Sequence, residues 1–273
     1  MFRLILILSI FATGAWAQDD APLTSINTLQ SASGWTAVGR VNMGNTGFCT
    51  GTLIEPTLVL TAAHCFYDPD TGAWNGDEVE FLAGLRNGVA VARRKALRVM
   101  IDSHYQFNDP DWRRQMGYDL ALIELERPIT QLDITPFEVF RRPRSGDPVA
   151  VVSYAAGRAR SPSIQEPCFV MERSGSNLML TCDIDHGASG APVLVLSDGR
   201  HKVVSVITAM TEIQGQKVAI SVTLGSALDV LRIQLAQTVV EAHRIGNFDR
   251  SLAEQLGRRT DTLDDRFIAA PSD

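Results

Sequence analysis

Residues 182–192 read Cys-Asp-Ile-Asp-His-Gly-Ala-Ser-Gly-Ala-Pro, a serine held between Gly187 and Gly190 and followed by the apolar run Pro192 to Leu196. Gly-x-Ser-Gly alone is weak evidence, because glycine-serine turns abound in loops. It gains meaning from two earlier stretches, Thr61-Ala62-Ala63-His64-Cys65 and Tyr118-Asp119-Leu120-Ala121-Leu122. A serine hydroxyl is a poor nucleophile at neutral pH. It needs an imidazole to take its proton and a buried carboxylate to orient that imidazole. The chain offers His64, Asp119 and Ser189 for these parts, in the order His, Asp, Ser. A strand, Leu58 to Thr61, delivers His64, and the small Ala62 and Ala63 let the backbone pack closely around it. Asp119 opens the apolar run Leu120 to Leu125, where a carboxylate is costly unless something pairs with it. An imidazole N–H is a suitable partner, and Asp102, Asp109 and Asp111 are the nearby carboxylates that compete for the role. Glycines around Ser189 permit a tight turn and close approach of a substrate carbonyl, so the N–H groups of Gly187 and Ser189 are the candidate oxyanion hole.

With these residues in this order the chain resembles the trypsin/chymotrypsin-like serine endopeptidases, over roughly Trp35 to Leu231. It is most similar to the bacterial branch that carries Cys-Asp-x-x-x-Gly-x-Ser-Gly at the nucleophile, matched by Cys182, Asp183, Gly187, Ser189 and Gly190. That branch includes a glutamyl-specific type. The resemblance implies an all-β fold of two packed antiparallel six-stranded β-barrels with a C-terminal helix, the active site lying in the cleft between barrels. It also implies an acyl-enzyme route to peptide-bond hydrolysis, with protein or peptide substrates and no cofactor or metal. Asp183 stands where trypsin-like enzymes carry the acid at the base of the primary specificity pocket, which implies a preference for Arg or Lys, with His186 and Thr208 as further pocket residues. Glutamyl specificity is the rival preference. A homologue that binds without turning over is the alternative outside the enzymes.

Two departures from the animal digestive branch stand out. Ala188 replaces the aspartate that pairs with a new N-terminus after zymogen cleavage, and no Ile-Val-Gly-Gly start lies upstream. The site is therefore expected to assemble on folding, or with residues 18–34 acting as a short propeptide. Ala191 stands where glycine is usual.

The N-terminus has the layout of a secretory signal peptide: Arg3, the apolar run Leu4 to Ala12, and Ala15-Trp16-Ala17 before an acidic start. Cleavage after Ala17 predicts an exported protein, secreted or periplasmic, without stable membrane insertion and working as a monomer. The full chain carries a formal net charge of -6, and loss of Arg3 with residues 1–17 makes it -7. An acidic surface disfavours nucleic acid and anionic membranes as partners. The four cysteines allow three connectivities. Oxidation suits an exported chain, and Cys49 with Cys65 and Cys168 with Cys182 form local pairs, each beside a candidate site segment. Neither pair has the Cys-x-x-Cys spacing of a zinc site.

Short apolar or β-branched runs fill the middle of the chain: 48–54, 57–61, 79–82, 89–99, 120–125, 149–154, 169–173, 178–182, 192–196, 202–208 and 217–222. Turn residues separate them, which predicts antiparallel barrels or sandwiches; the helical periods a βαβ enzyme needs between strands are missing. A first barrel is expected over 35–140 and a second over 141–243, with a seam near Arg141 to Gly146. Leu228, Val230, Leu231, Leu235, Val239 and Val240 recur at near-helical spacing and predict a helix over Ala227 to His243. Residues 244–273 alternate charges with few aromatics and read as a partly helical or disordered tail. His104, His201 and His243 lack metal-ligand spacing, and the acids from Asp68 to Glu80 do not fit a calcium-loop template.

Overall fold

A computed structural model describes residues 20–44, 47–140 and 143–237. The predicted signal peptide, the Arg141-Arg142 part of the seam and the charged tail lie outside the described residues.

The chain enters as a two-residue strand, β1 (Thr24–Ser25), and a one-turn helix, α1 (Leu29–Ala32), capped by the Thr28 hydroxyl. Six strands follow: β2 (Val38–Met43), β3 (Gly47–Glu55), β4 (Leu58–Thr61), β5 (Val79–Ala83), β6 (Ala92–Ile101) and β7 (Ala121–Leu125). They close into an antiparallel barrel in the order β2-β3-β4-β7-β6-β5. The short helix α2 (Trp112–Gly117) precedes β7. A small strand, β8 (Glu138–Val139), then leads into β9 (Pro148–Ser153), β10 (Ser163–Ser174), β11 (Asn177–Leu180), β12 (Pro192–Ser197), β13 (Arg200–Ile213) and β14 (Gln216–Thr223). Pairing of β9 with β10 closes the path β10-β11-β14-β13-β12-β9 into a second six-stranded barrel. β1 and β8 are additions to its outside, β1 antiparallel on β10 and β8 parallel to β13. The predicted pair of six-stranded antiparallel barrels is thus the observed architecture.

Burial explains why these stretches are strands. Leu58 to Thr61 and Ala121 to Ile123 are buried without interruption because β4 and β7 face the barrel interior on one side and the rest of the molecule on the other. Arg93 and Lys95 of β6 point outward, as expected for a strand rim. The crossover between barrels lies just ahead of the expected seam: the Phe137 N–H donates to Leu53 O in the first barrel and the Phe140 N–H to Val203 O in the second.

Both disulfides follow the local pairing, Cys49–Cys65 and Cys168–Cys182. The C-terminal helix, α3, is described over 225–237, with Leu228 and Leu231 fully buried and Leu235 packed against the core. The last residues of its predicted span lie outside the described residues.

Residues 20–34 are integrated into the second barrel. The Ala21 N–H donates to Pro167 O, the Ile26 N–H donates to Pro162 O, and the Ile26 side chain is 1% exposed in the core. No described helix is long and apolar enough to cross a membrane.

Candidate active site

His64 sits in a 3-10 turn, Ala63–Phe66, at the end of β4. Two features of the local sequence hold it. Ala62 and Ala63 are fully buried, and Cys65 is tied to Cys49 on β3. A third tie comes from far along the chain: Asp119 accepts the His64 backbone N–H at 2.8 Å through Oδ1 and the ring Nδ1 at 2.7 Å through Oδ2. Asp119 is 4% exposed, so the pairing offsets the cost of burying its charge. A carboxylate only accepts, so the proton lies on Nδ1 and leaves Nε2 free to act as a base. Burial opposes the charged imidazolium, but the charge and hydrogen bond of Asp119 outweigh it and raise the His64 pKa above the ordinary imidazole value.

The competing carboxylates are engaged elsewhere. Asp102 holds His104 at 2.8 Å, Asp109 takes Arg114 at 2.6 and 2.9 Å, and Asp111 caps α2 by accepting the N–H groups of Arg113 and Arg114.

Ser189 lies where the second barrel approaches the first. The Gly190 backbone has φ +79°, and a Cβ there would stand 2.1 Å from Thr50 O and Thr61 Oγ1. Only glycine lets the turn that carries Ser189 come so near β3 and β4. Gly187 has φ +95° and packs against the Phe48 ring, where a Cβ would fall 2.5 Å from a ring carbon. His186 O accepts the Ala156 N–H at 2.7 Å, which fixes the peptide that carries the Gly187 N–H. Ala188 and Ala191 are completely buried, and the Ala188 N–H donates to Asp185 O at 2.9 Å. Among the described residues, the N–H groups of Gly187 and Ser189 donate to no protein acceptor.

His64 and Ser189 line one cavity of about 310 Å³, together with Ile184, Asp185, His186, Ile207, Thr208, Ala209 and Met210. No direct hydrogen bond joins the Ser189 hydroxyl to the imidazole, as is common in unliganded sites whose catalytic hydrogen bonds tighten around substrate. Of the predicted pocket residues, His186 and Thr208 line this cavity. Thr208 sits where the register of β13 against β14 shifts, and its hydroxyl donates to Ile220 O at 3.2 Å. Asp183 is not brought in. Its carboxylate is half exposed and pairs with Lys217 at 3.2 Å, and only its backbone N–H is tied down, to Gln165 Oε1. The flanking Cys182 and Ile184 are buried in the segment after β11, while the Asp183 side chain is at the surface beside Lys217. The sequence reading missed Asp185, Ile184, Ile207, Ala209 and Met210. Asp185 could have been found from its place in the Asp-His-Gly-Ala-Ser-Gly string, whereas the β13 residues enter only through the curvature of that strand.

A family model described as Trypsin-like peptidase domain matches residues 49–205. The chain belongs to the trypsin-like peptidase family. Among curated relatives it is 28% identical over 158 residues to a glutamyl endopeptidase of Bacillus licheniformis, covering 56% of this chain and 47% of the relative. It is also 29% identical over 125 residues to glucanase inhibitor protein 4 of Phytophthora infestans, covering 44% of this chain and 46% of the relative. The chain thus spans about half the length of these relatives. Solved structures of a Glu endopeptidase (TM-score 0.65, 18% identity, 80% of this chain and 98% of that one) and of the protease Anisep from Arthrobacter nicotinovorans (0.60, 15%, 77% and 97%) share the fold.

Cys49, His64 and Cys65 lie together, with one ligand atom of each within 4.8 Å of the others. The two sulfurs are bonded to each other, which removes the thiolates a metal would need.

Proposed function

We propose that this trypsin-like peptidase is an exported serine endopeptidase in which Ser189 is the nucleophile, His64 the general base and acid, and Asp119 the group that orients His64. The observation that carries this is the two-point hold of Asp119 on His64, with that imidazole and Ser189 on one cavity. Ser189 Oγ attacks the peptide carbonyl carbon while its proton passes to His64 Nε2. The carbonyl oxygen becomes an oxyanion facing the N–H groups of Gly187 and Ser189. Collapse breaks the C–N bond, His64 returns the proton to the leaving amine, and water repeats the cycle to release the acyl group.

The peptide on the amino side of the cut has a path: Met210 belongs both to the cavity at Ser189 and to a groove of about 810 Å³ lined by Trp112, Met179, Ile213 and Ile220. For the side chain before the cut, Asp183 no longer supports a basic preference. Asp185 at the cavity would meet a basic group and His186 an acidic one, and the relative named glutamyl endopeptidase is consistent with the second reading. A digest of denatured proteins, read as the residues flanking each cut, chooses between them.

Residues 20–34 contribute a strand and core contacts, so we take the segment as part of the working enzyme and the site as assembled on folding. Two disulfides fit an oxidising compartment, in keeping with export after loss of residues 1–17. One chain supplies every group the mechanism uses, so a monomer suffices.

A binding module without turnover is the second reading, favoured by the relative named as a glucanase inhibitor. A fluorophosphonate probe separates the two. The folded protein is expected to be labelled at Ser189 and Ser189→Ala to be unlabelled; equal absence of labelling in both would sink the enzyme reading.

A further inference from the structure

Four hydrogen bonds converge on Thr50, the β3 residue after Cys49. Its N–H donates to Ser189 O at 2.8 Å, and its carbonyl accepts the Thr61 hydroxyl at 2.8 Å. These two backbone ties join the nucleophile turn to the strand that ends at His64. The Thr50 hydroxyl adds what the backbone cannot: it donates to Gly187 O at 2.9 Å and accepts the Tyr154 N–H at 3.0 Å. Tyr154 O lies 3.4 Å from the same hydroxyl, and the single proton goes to the nearer acceptor. Thr50 is 0% exposed, so no bulk water can replace these bonds.

Gly187 joins two peptide planes, the first of which carries its N–H. The plane before Gly187 is fixed through His186 O by the Ala156 N–H, and the plane after it through Gly187 O by the Thr50 hydroxyl. Tyr154 and Ala156 belong to one segment, so the hydroxyl bridges the first barrel, that segment and the nucleophile turn at a single point. We propose that the Thr50 side chain is a positioning residue, a buried hydroxyl from the first barrel that sets the direction of the oxyanion donors Gly187 and Ser189 on the second. The inference rests on the triad reading above. A valine in its place keeps the shape and takes the partner from the part-buried Gly187 O and the buried Tyr154 N–H, so the turn is driven to rotate until they find others.

The test uses Thr50→Val and Thr50→Ser with a chromogenic peptide chosen from the digest and a peptidyl boronic acid, whose tetrahedral adduct occupies the oxyanion position. Thr50→Val is expected to lose about ten- to a hundredfold in kcat with KM held within about twofold, since donors aimed at developing charge act on the transition state. Boronate affinity falls by the same factor, Thr50→Ser recovers most of the loss, and the apparent pKa of kcat/KM stays where it was. An active wild type with an equally active Thr50→Val overturns the proposal alone. So does a loss that Thr50→Ser fails to recover, or one accompanied by a displaced pKa, which would put the effect on the His64 side through Thr61. If melting shows Thr50→Val unfolded, Thr50→Ala is read by the same measurements. A wild type that neither cleaves nor binds the boronate overturns the triad reading, and this inference with it.

Discussion

The two sides of the cleft are built differently. His64, on the first barrel, is pinned by a disulfide at its neighbour, by buried alanines before it and by both oxygens of Asp119. Half of the cavity wall facing it is one stretch of β13, Ile207 to Met210, with Met210 partly exposed and Thr208 at a register shift. On the proposed mechanism His64 is the proton-transfer end, and its position is over-determined, so a change there should act on chemistry and pH dependence. The selecting end is set by backbone course, so single side chains there should alter which peptide is cut more than how fast.

The largest effect should come from uncoupling the pinned side. Asp119→Asn keeps the shape but offers His64 a donor where it needs an acceptor, and kcat should fall about 10⁴-fold because the imidazole is then held in the wrong tautomer. The wild-type pH profile tests the same bond. Protonated His64 cannot take the serine proton, so kcat/KM should rise with pH through an apparent pKa above the ordinary imidazole value of about 6.5. The stability contribution runs oppositely. A raised folded pKa stabilises the protonated fold fully below the unfolded value and loses that contribution as pH rises through the folded one, so melting temperature and activity should move in contrary directions across that window. A profile with its midpoint below the ordinary imidazole value would contradict the geometry.

A smaller effect is expected from the disulfide behind His64. Replacing Cys49 and Cys65 together by serine opens a loop with a sequence separation of 16 and should cost about 3 kcal/mol in denaturant unfolding. If activity in the remaining folded fraction survives, Asp119 alone suffices to hold His64, and the comparison sharpens.

The smallest effect is assigned to Asp183. Its pair with Lys217 is solvent-exposed on both sides, so Asp183→Asn should change stability by less than about 1 kcal/mol and leave the cleavage profile of a protein digest unaltered. A profile that loses cuts after Arg and Lys in this variant would return Asp183 to the pocket and break the contrast between the two sides.

Most of the barrel strands were legible because their runs of Val, Ile and Leu are short and bounded by turn residues. The exceptions have physical causes. β2, Val-Gly-Arg-Val-Asn-Met, carries polar residues at intervals and reads as loop, yet Arg40 is partly buried over the Phe48 ring, 5.3 Å from its centroid, and bonded to Asn42. The helix α2 was missed because no residue of it is buried, so it has no apolar stripe; the Asp111 cap was its only signal. Chain order and local context brought out His64, Asp119 and Ser189, since each sits in a string whose composition demands a special environment. Asp183 has the spacing from Ser189 of a pocket floor, but its place at the surface beside Lys217 depends on which neighbours are buried.

The sequence by itself determined the two-barrel class and the local pairing of cysteines and pointed to three candidate polar groups, because hydrophobic period, turn chemistry and residue type are local properties. Tertiary structure alone decided which carboxylate meets His64, which side chains line the cavity at Ser189, and that a threonine on one barrel bonds the Ser189 turn of the other. Those depend on distances between segments far apart in the chain, such as Thr50 and Gly187 at a separation of 137, and only closure and packing of both barrels fix them.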